Sequence, residues 1–247
     1  PHAGTGAERR LTVSRWTAWR ASVARIVPLA WPVFMGQVAM VLFATVDTVL
    51  VARYSAIDLA ALAVGSAAYI TVFIGLMGVV LAVGPIVGQL FGARRHAAAG
   101  EQLHQAVWLA LGLALLGSAL LIFPQPFIAL SRSTPEVAAK LRDYLLALAL
   151  ALPAGLLFAA FRGFNNAVSR PKAVMVLQLS GLALKVPLAA LLVYGAGPLP
   201  ALGVAGCGLS TAITMWCVVL VAWWVLRRDP FYAPFAIFGQ GLRPPNW

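Results

Sequence analysis

The sequence is poor in charged residues and in cysteine. Only 10% of its 247 residues are charged, whereas 62% are hydrophobic. A soluble domain carries about 25% charged residues, so this chain has too little charge to cover a water-facing surface. Two cysteines exclude a disulfide-stapled secreted scaffold, and the composition excludes a disordered tail. Long unbroken apolar runs also disfavour the alternating strands of an outer-membrane barrel. We therefore expect a chain that faces lipid.

Acidic residues are scarcer than basic ones. Eighteen Lys and Arg residues against seven Asp and Glu residues give a net charge of +11. In a soluble protein such an excess would suggest nucleic-acid binding. Here five arginines precede the first apolar run, and most of the other basic residues lie in short connections between runs. That distribution is typical of membrane topology signals, so we predict no nucleic-acid partner.

Recognisable enzyme motifs are missing from the sequence. The three histidines are scattered, and no glycine-rich phosphate loop is present. A membrane hydrolase would need a catalytic dyad, and Asp47 is the only carboxylate well inside an apolar run. We predict that the protein is not an enzyme, with no catalytic residues and no cofactor.

Six apolar stretches are long enough to cross a bilayer as helices, which requires about 20 residues each. They are Ile26 to Val51, Leu59 to Phe91, Gln105 to Leu130, Tyr144 to Phe161, Ala173 to Tyr194 and Leu199 to Leu226. Helices satisfy every backbone hydrogen bond inside lipid. The predicted organisation is a basic segment at 1–25, a six-helix membrane unit at 26–226 and a further segment at 227–247.

Lys and Arg residues in alternate connections predict the orientation. One side carries thirteen, namely Arg9, Arg10, Arg15, Arg20, Arg25, Arg94, Arg95, Arg162, Arg170, Lys172, Arg227, Arg228 and Arg243. The other side carries four, namely Arg53, Arg132, Lys140 and Arg142. Because basic loops stay in the cytoplasm, we predict cytoplasmic termini on a multi-pass protein.

Prolines interrupt four of the six apolar stretches. They are Pro32, Pro85, Pro153 and Pro187. Each removes one helical hydrogen bond and predicts a kink. Kinks suit a transporter that moves, but they also occur in static bundles.

Two opposite charges fall inside the apolar stretches. Asp47 lies four residues before the end of the first stretch, and Lys185 is the thirteenth of 22 residues in the fifth. Burying either charge in lipid is costly, so we predict that the two side chains form an ion pair facing a cavity. Two alternatives stay open: Asp47 reaches the interface near Arg53, or Lys185 lines a wet cavity without a partner.

Other polar side chains could line the same cavity. The candidates are Gln37, Gln178 and Thr211, together with Tyr69, whose ring could bind an organic cation. For each of them, helix packing or a place at the membrane interface is the competing interpretation.

Several segments together resemble one family. They are 32–52 (PVFMGQVAMVLFATVDTVLVA), 85–94 (PIVGQLFGAR), 161–175 and 193–213 (VYGAGPLPALGVAGCGLSTAI). In this order they resemble the multidrug and toxic compound extrusion (MATE) family, NorM type, over about 26–226. The resemblance implies a secondary antiporter that exchanges cationic compounds for sodium ions or protons. It also implies twelve helices in two six-helix lobes, so that this all-α chain would be the N-terminal lobe and 227–247 the cytoplasmic linker.

The resemblance also assigns roles to particular residues. Asp47 matches the aspartate that the family uses for cation or proton coupling, and Pro187 matches its fifth-helix proline. Lys185 and Ala189 stand where asparagines are common, and Met40 where glutamine is. These departures weaken a sodium site at Asp47 and favour proton coupling, although both ions remain candidates.

We therefore expect the N-terminal lobe of a cation-coupled multidrug efflux antiporter in a bacterial inner membrane. Its expected partners are the lipid bilayer, cationic or amphiphilic drugs, H+ or Na+, and a missing C-terminal lobe. A lipid-linked flippase of related fold is one alternative. A non-transporting fragment or assembly subunit is the other.

Overall fold

The structure, a computed structural model, describes residues 5–131, 133–195 and 200–237. Within these ranges it contains α-helices, one 3-10 helix and no strand. The α-helices are α1 (Thr5–Tyr54), α2 (Ala56–Leu81), α3 (Val83–Gly92), α4 (His96–Ile122), α5 (Gln125–Ser131), α6 (Pro135–Ala167), α7 (Pro171–Tyr194) and α8 (Val204–Arg228). The 3-10 helix spans Pro230–Phe235.

Six helical segments are long and apolar enough to span a membrane. They are Ile26–Tyr54 of α1, Ala56–Gly92 across α2 and α3, and the whole of α4, α6, α7 and α8. This result confirms the predicted all-α membrane fold with six spans. From Thr5 onward, the predicted basic segment is continuous with the first span, because both belong to α1. Arg132, Arg243 and the end of the predicted linker lie outside the described residues.

Some span boundaries differ from the predicted ones. The third span ends at Ile122 and not at Leu130, and the short helix α5 follows it. The cause is Pro124, whose ring disfavours helical backbone at Phe123. The fourth span extends beyond Phe161 to Ala167, because the helix continues through Arg162.

Only one of the four predicted kink positions lies beside an interruption of its helix. The second span is interrupted at Ala82, between α2 and α3, and Pro85 lies in the first turn of α3. Proline is tolerated there because first-turn N–H groups have no partner within the helix. Helices α1, α6 and α7 are continuous through Pro32, Pro153 and Pro187.

Helix α6 forms the centre of the lobe. It packs against α2, α4 and α8, and more than half of its residues are buried. Small residues allow the close approach that helix association in lipid requires. At Gly208 of α8, for example, an added Cβ would lie 3.1 Å from the backbone oxygen of Tyr144. Any larger side chain at this position would push α8 away from α6.

Helix α1 lies at the edge of the lobe. It packs mainly against α7 and, to a smaller extent, against α2. Large side chains on its outer face are exposed, among them Phe34, Val41 and Val49. The hydroxyl of Tyr194 in α7 donates a hydrogen bond of 2.9 Å to the backbone oxygen of Leu50, which helps to fix the register of the two helices.

Residues 229–237 fold back against the lobe and are called the latch below. The Tyr232 hydroxyl donates to Asn165 Oδ1 at 2.6 Å, and Arg170 donates to the Asp229 carboxylate at 2.8 Å. His104 Nε2 lies 2.7 Å from the backbone oxygen of Ile237. Burial raises the pKa of Tyr232 to about 12, against the opposing effect of the Arg170 charge, so its hydroxyl keeps the donated proton.

Candidate functional site

A cavity of about 380 Å³ lies among α1, α2, α6, α7 and α8. Its volume falls within the range of small-molecule sites. Most of its lining is apolar, and five aromatic rings face it, those of Phe43, Tyr69, Phe73, Tyr144 and Phe158. The charged side chains that line it are Asp47, Arg162 and Lys185. An aromatic cavity with a few charged groups is suited to an organic molecule that carries charge.

The structure pairs Lys185 with Asp47. Lys185 Nζ donates to Asp47 Oδ2 at 2.7 Å and to Thr211 Oγ1 at 2.9 Å, and it lies 4.8 Å from the centre of the Phe43 ring. Lys185 is 1% exposed and Asp47 is 8% exposed. The contact expected from the sequence is therefore present, and Lys185 does not lie alone in its cavity. Whether the pair couples ions to transport stays a prediction.

One oxygen of this ion pair remains available. Asp47 Oδ1 is buried and accepts no hydrogen bond of good geometry among the described residues, and the Cys207 thiol, a weak donor, lies beside the same carboxylate. A buried carboxylate oxygen without a partner carries an energetic cost, which a proton or a cationic donor would relieve. Oδ1 is therefore the atom of the pair at which a proton could bind.

The packing of α7 brings the pair together. Gly181 lies one helical turn before Lys185, and a Cβ at Gly181 would lie 2.8 Å from a side-chain carbon of Val218 in α8. The missing side chain lets α7 approach α8, where Thr211 accepts the second hydrogen bond from Lys185. Thr211 in turn donates to the backbone oxygen of Cys207 at 3.1 Å, which orients its oxygen towards the ammonium.

The other predicted cavity residues divide into two groups. Tyr69 and Gln178 line the cavity with the ion pair, and the Tyr69 ring stacks on Phe73 with centroids 5.5 Å apart. Gln37 is exposed and lines a second cavity of about 190 Å³ instead. Gln178 lies on the lining of both cavities. The structure therefore brings Asp47, Lys185, Thr211, Tyr69 and Gln178 together and places Gln37 apart from them.

Arg162 is a cavity residue that the sequence analysis did not predict. It was assigned to a cytoplasmic connection, but it lies in α6 and lines both cavities. Its Nη1 and Nη2 atoms donate to the sulfur atoms of Met40 and Met77, both at 3.2 Å. The sequence did contain an indication that the helix continues past Phe161 and includes Arg162. The first proline after Phe161 is Pro171, so little in the intervening residues stops the helix at Phe161.

No group of three or more His, Cys, Asp or Glu side chains is placed to hold a metal ion in the part of the chain that the structure describes. Asp47 is the carboxylate on the described lining of the cavity, and the ammonium of Lys185 contacts it.

Comparisons with known proteins agree with one another. The sequence profile of the family described as MatE matches residues 32–191. A probable multidrug resistance protein NorM from Aromatoleum aromaticum is 46% identical over 222 residues, which cover 90% of this chain and 48% of the relative. The multidrug resistance protein PmpM from Pseudomonas aeruginosa is 35% identical over 225 residues, covering 90% of this chain and 47% of the relative.

Solved structures share the fold. A eukaryotic MATE transporter, AtDTX14, superposes with a TM-score of 0.78 at 17% identity, over 86% of this chain and 47% of that one. The MATE transporter VcmN of Vibrio cholerae in its bent form gives a TM-score of 0.78 at 17% identity, over 89% and 49%. The chain thus spans about half the length of the curated relatives it matches. From the matched segment, the identities and the six-helix fold, it follows that this chain belongs to the MatE family, that of the multidrug and toxic compound extrusion proteins.

Proposed function

We propose that this chain is the N-terminal lobe of a proton-coupled antiporter that exports cationic or amphiphilic aromatic compounds across a bacterial inner membrane. The observation that carries the proposal is the buried Lys185–Asp47 ion pair on the wall of an aromatic cavity. Charges inside a membrane protein are costly and commonly mark ion or proton pathways. Family membership and the multidrug resistance proteins among the relatives support the same function.

The ion pair offers a simple route for coupling. With Asp47 ionised and Lys185 protonated, the pair is neutral and its two charges stabilise each other. A proton that binds Asp47 Oδ1 removes the negative charge and leaves the ammonium of Lys185 without its counter-ion. The cavity then becomes more positive, which weakens the binding of a cationic molecule. Uptake of a proton and release of a cation are thereby linked at one carboxyl group.

The lysine favours a proton over sodium as the coupling ion. Sodium needs several oxygen ligands, and at Asp47 one carboxylate oxygen and the Thr211 hydroxyl already accept from Lys185. A sodium ion beside them would also face the repulsion of the ammonium. A proton needs only one oxygen, and Oδ1 accepts no hydrogen bond of good geometry among the described residues.

Transport also requires a second lobe. Alternating access in secondary transporters moves one repeat against another around a shared site. The lobe described here provides one wall of such a site. We propose that a C-terminal lobe provides the other and that both termini of this chain are cytoplasmic.

The test is dye export from cells that lack their own efflux pumps and express the complete reading frame containing this chain. We expect wild-type protein to export ethidium against its gradient when a proton gradient is imposed, with no requirement for sodium. Asp47→Asn should abolish export, because an amide cannot take up a proton in the working range. The matched control is Asp58→Asn. Asp58 is also buried, but its carboxylate accepts from the backbone N–H of Val204 outside the cavity.

Two results would contradict the proposal. One is full export by Asp47→Asn at normal expression. The other is sodium-dependent export that a proton gradient cannot drive. Residues 1–247 expressed alone should give no export, so resistance conferred by this piece would refute the requirement for a second lobe.

A further inference from the structure

A further cavity, of about 350 Å³, lies between α4 and α8 and is called the crevice below. Residues within 103–107 of α4 and within 219–226 of α8 form its walls, and residues within 157–161 of α6 form its floor. Ile237 of the latch completes it beside His104, whose Nε2 atom lies 2.7 Å from the Ile237 backbone oxygen. The crevice is thus built from three membrane helices and the latch.

The crevice is separate from the cavity of the ion pair and opens towards lipid. Phe158 is the one described residue that lines both. Helices α4 and α8 each pack against α6, whereas they make little contact with each other in the described structure. Trp223 of α8 lines the crevice and is 48% exposed, and Leu220 and Trp224 beside it on α8 are exposed too. Because these helices span the membrane, a mouth bordered by exposed apolar side chains faces lipid.

The shape and lining of the crevice suit a hydrocarbon chain. It extends from Val219 to Leu226, and seven residues of helix correspond to about 10 Å. One leaflet of the membrane core is about 15 Å thick, so the crevice fits within a single leaflet. Its described lining is apolar except for His104, which is already bonded to Ile237, and the indole of Trp223. A hydrocarbon chain parallel to the helices would fill the gap that α4 and α8 leave and gain packing contacts on three sides.

Two arginines lie beside the crevice at the end of α8. The guanidinium carbon of Arg227 is 5.3 Å from the centre of the Trp223 ring, and both Arg227 and Arg228 are exposed. Neither belongs to an ion pair in the part of the chain that the structure describes, and the adjacent Asp229 pairs with Arg170 instead. Tryptophan and arginine together at a helix end are typical of the membrane–water interface. The crevice therefore has an apolar interior and a positively charged end.

We propose that the crevice binds one acyl chain of an anionic phospholipid and that Arg227 and Arg228 bind its phosphate. Basic pockets between membrane helices on the cytoplasmic side recognise anionic head groups, and this end of α8 is the side proposed above to be cytoplasmic. A guanidinium also matches the geometry of a phosphate. The bound chain would contact α4, α6, α8 and Ile237 together, and would thereby hold the latch against the lobe.

The experiment measures lipid binding to the complete purified protein in detergent by native mass spectrometry. It compares phosphatidylglycerol with phosphatidylcholine of identical acyl chains. We expect one phosphatidylglycerol to bind roughly ten- to thirty-fold more tightly, because each of two basic residues favours a net negative lipid by about five-fold. Glycerol phosphate, which has the charge but no chain, should not displace it. Equal binding of the two lipids, or displacement by glycerol phosphate, would overturn the proposal.

A matched pair of double variants separates a site from general attraction by positive charge. Arg227→Gln with Arg228→Gln should reduce the preference for phosphatidylglycerol to less than about two-fold. Arg94→Gln with Arg95→Gln removes the same charge from two exposed arginines that precede α4, about 13 Å of helix before His104, and should leave the preference intact. Equal losses in both double variants, or no loss in the first, would contradict a site at the end of α8.

The position of the acyl chain has its own test. Val219→Trp fills the crevice and should weaken phosphatidylglycerol binding by about five-fold or more, because the chain loses packing contacts. Leu220→Trp, at the exposed neighbouring position, is the control and should have little effect.

A measurement on wild-type protein covers the case in which Val219→Trp does not fold. Phosphatidylglycerol with a photoreactive diazirine in the middle of one acyl chain should label peptides that contain residues 157–161 or 219–226. Labelling spread evenly over the exposed apolar surface, the outer face of α1 included, would overturn the crevice as the binding site. None of these readouts depends on transport, so failure of the proposed export function would leave them unchanged.

Discussion

Helices α6 and α1 differ sharply in how deeply the lobe buries them. In the most apolar stretch of α6, 72% is buried inside the lobe, whereas the corresponding fraction for α1 is 18%. Helix α6 packs mainly against three other helices, α2, α4 and α8, whereas α1 packs mainly against α7. Yet Asp47 lies on α1, the more exposed of the two helices.

The two helices therefore have different roles. Helix α6 maintains the fold, whereas α1 carries Asp47, one of the two charges of the ion pair. Segments with few buried contacts open and shift at lower free-energy cost than a packed core does. Asp47 is buried because α7 and α8 cover it, and not because α1 itself lies deep in the lobe. We therefore expect that a change of contact between α1 and α7 would expose the ion pair while α6 stays in place.

We expect the largest effect on stability for a substitution in α6, the more deeply buried of the two helices. Phe164 of α6 is fully buried and packs edge-to-face on Phe235 with ring centroids 5.3 Å apart. Phe164→Ala should lower the free energy of unfolding in detergent by about 3 kcal/mol or more, because a cavity remains where the ring was. The control is Val41→Ala on the outer face of α1, where the side chain is 66% exposed. If Val41→Ala lowered the free energy of unfolding as much as Phe164→Ala does, the proposed difference between α1 and α6 would be wrong.

The next largest effect concerns the ion pair between α1 and α7. Lys185→Met or Asp47→Asn alone should cost about 3 kcal/mol, because each leaves the other charge buried without a counter-ion. The double variant should cost clearly less than the sum of the two single variants. A double-mutant cycle on detergent unfolding measures the difference. Additive costs would mean that the two side chains do not stabilise each other.

A smaller effect is expected at the latch. Tyr232→Phe removes the hydrogen bond to Asn165 and should cost about 1 kcal/mol. Because the pKa of Tyr232 is raised to about 12 by burial, the hydroxyl stays protonated well above neutral pH. The cost should therefore be the same at pH 6 and pH 9, and stability contributed by this group should fall only as the pH rises above about 10. A cost that disappears at pH 9 would contradict the assigned protonation state.

The smallest effect on the protein is expected in a test of its orientation in the membrane. In a background with Cys207→Ala and Cys217→Ala, Arg53→Cys at the exposed end of α1 should react with a membrane-impermeant maleimide in intact cells. Arg228→Cys should react only after permeabilisation. The reverse pattern would invert the predicted topology, and neither variant should alter stability measurably.

The sequence was sufficient to predict the number of spans and the central contact, although not every span boundary, for a physical reason. Lipid cannot solvate backbone polar groups or side-chain charges, so long apolar runs must be helices and isolated opposite charges must pair. Those constraints leave few alternatives for Asp47 and Lys185. Assigning Arg162 to a loop followed from the same logic, which treats the first arginine after an apolar run as the edge of the membrane. Removing Arg162 from the Lys and Arg residues counted on the cytoplasmic side barely changes the difference between the two sides, so the predicted orientation is unaffected.

Other features depend on tertiary contacts that periodicity does not encode. Gln37 and Gln178 are both polar residues inside apolar stretches of the sequence. In the structure, however, Gln178 is buried on the cavity wall and Gln37 is exposed. The latch could not be predicted either, because its bonds join residues far apart in the chain, such as Tyr232 with Asn165. Without a repeating pattern, only the packed structure shows which partners such residues have.

The latch also joins the end of the described chain to three membrane helices. Residue 237 is joined to α4 through His104, Tyr232 to α6 through Asn165, and Asp229 to the start of α7 through Arg170. We therefore expect a displacement of the backbone at Ile237 to act on all three of these helices together. We expect an element attached after Ile237 to move together with these three helices.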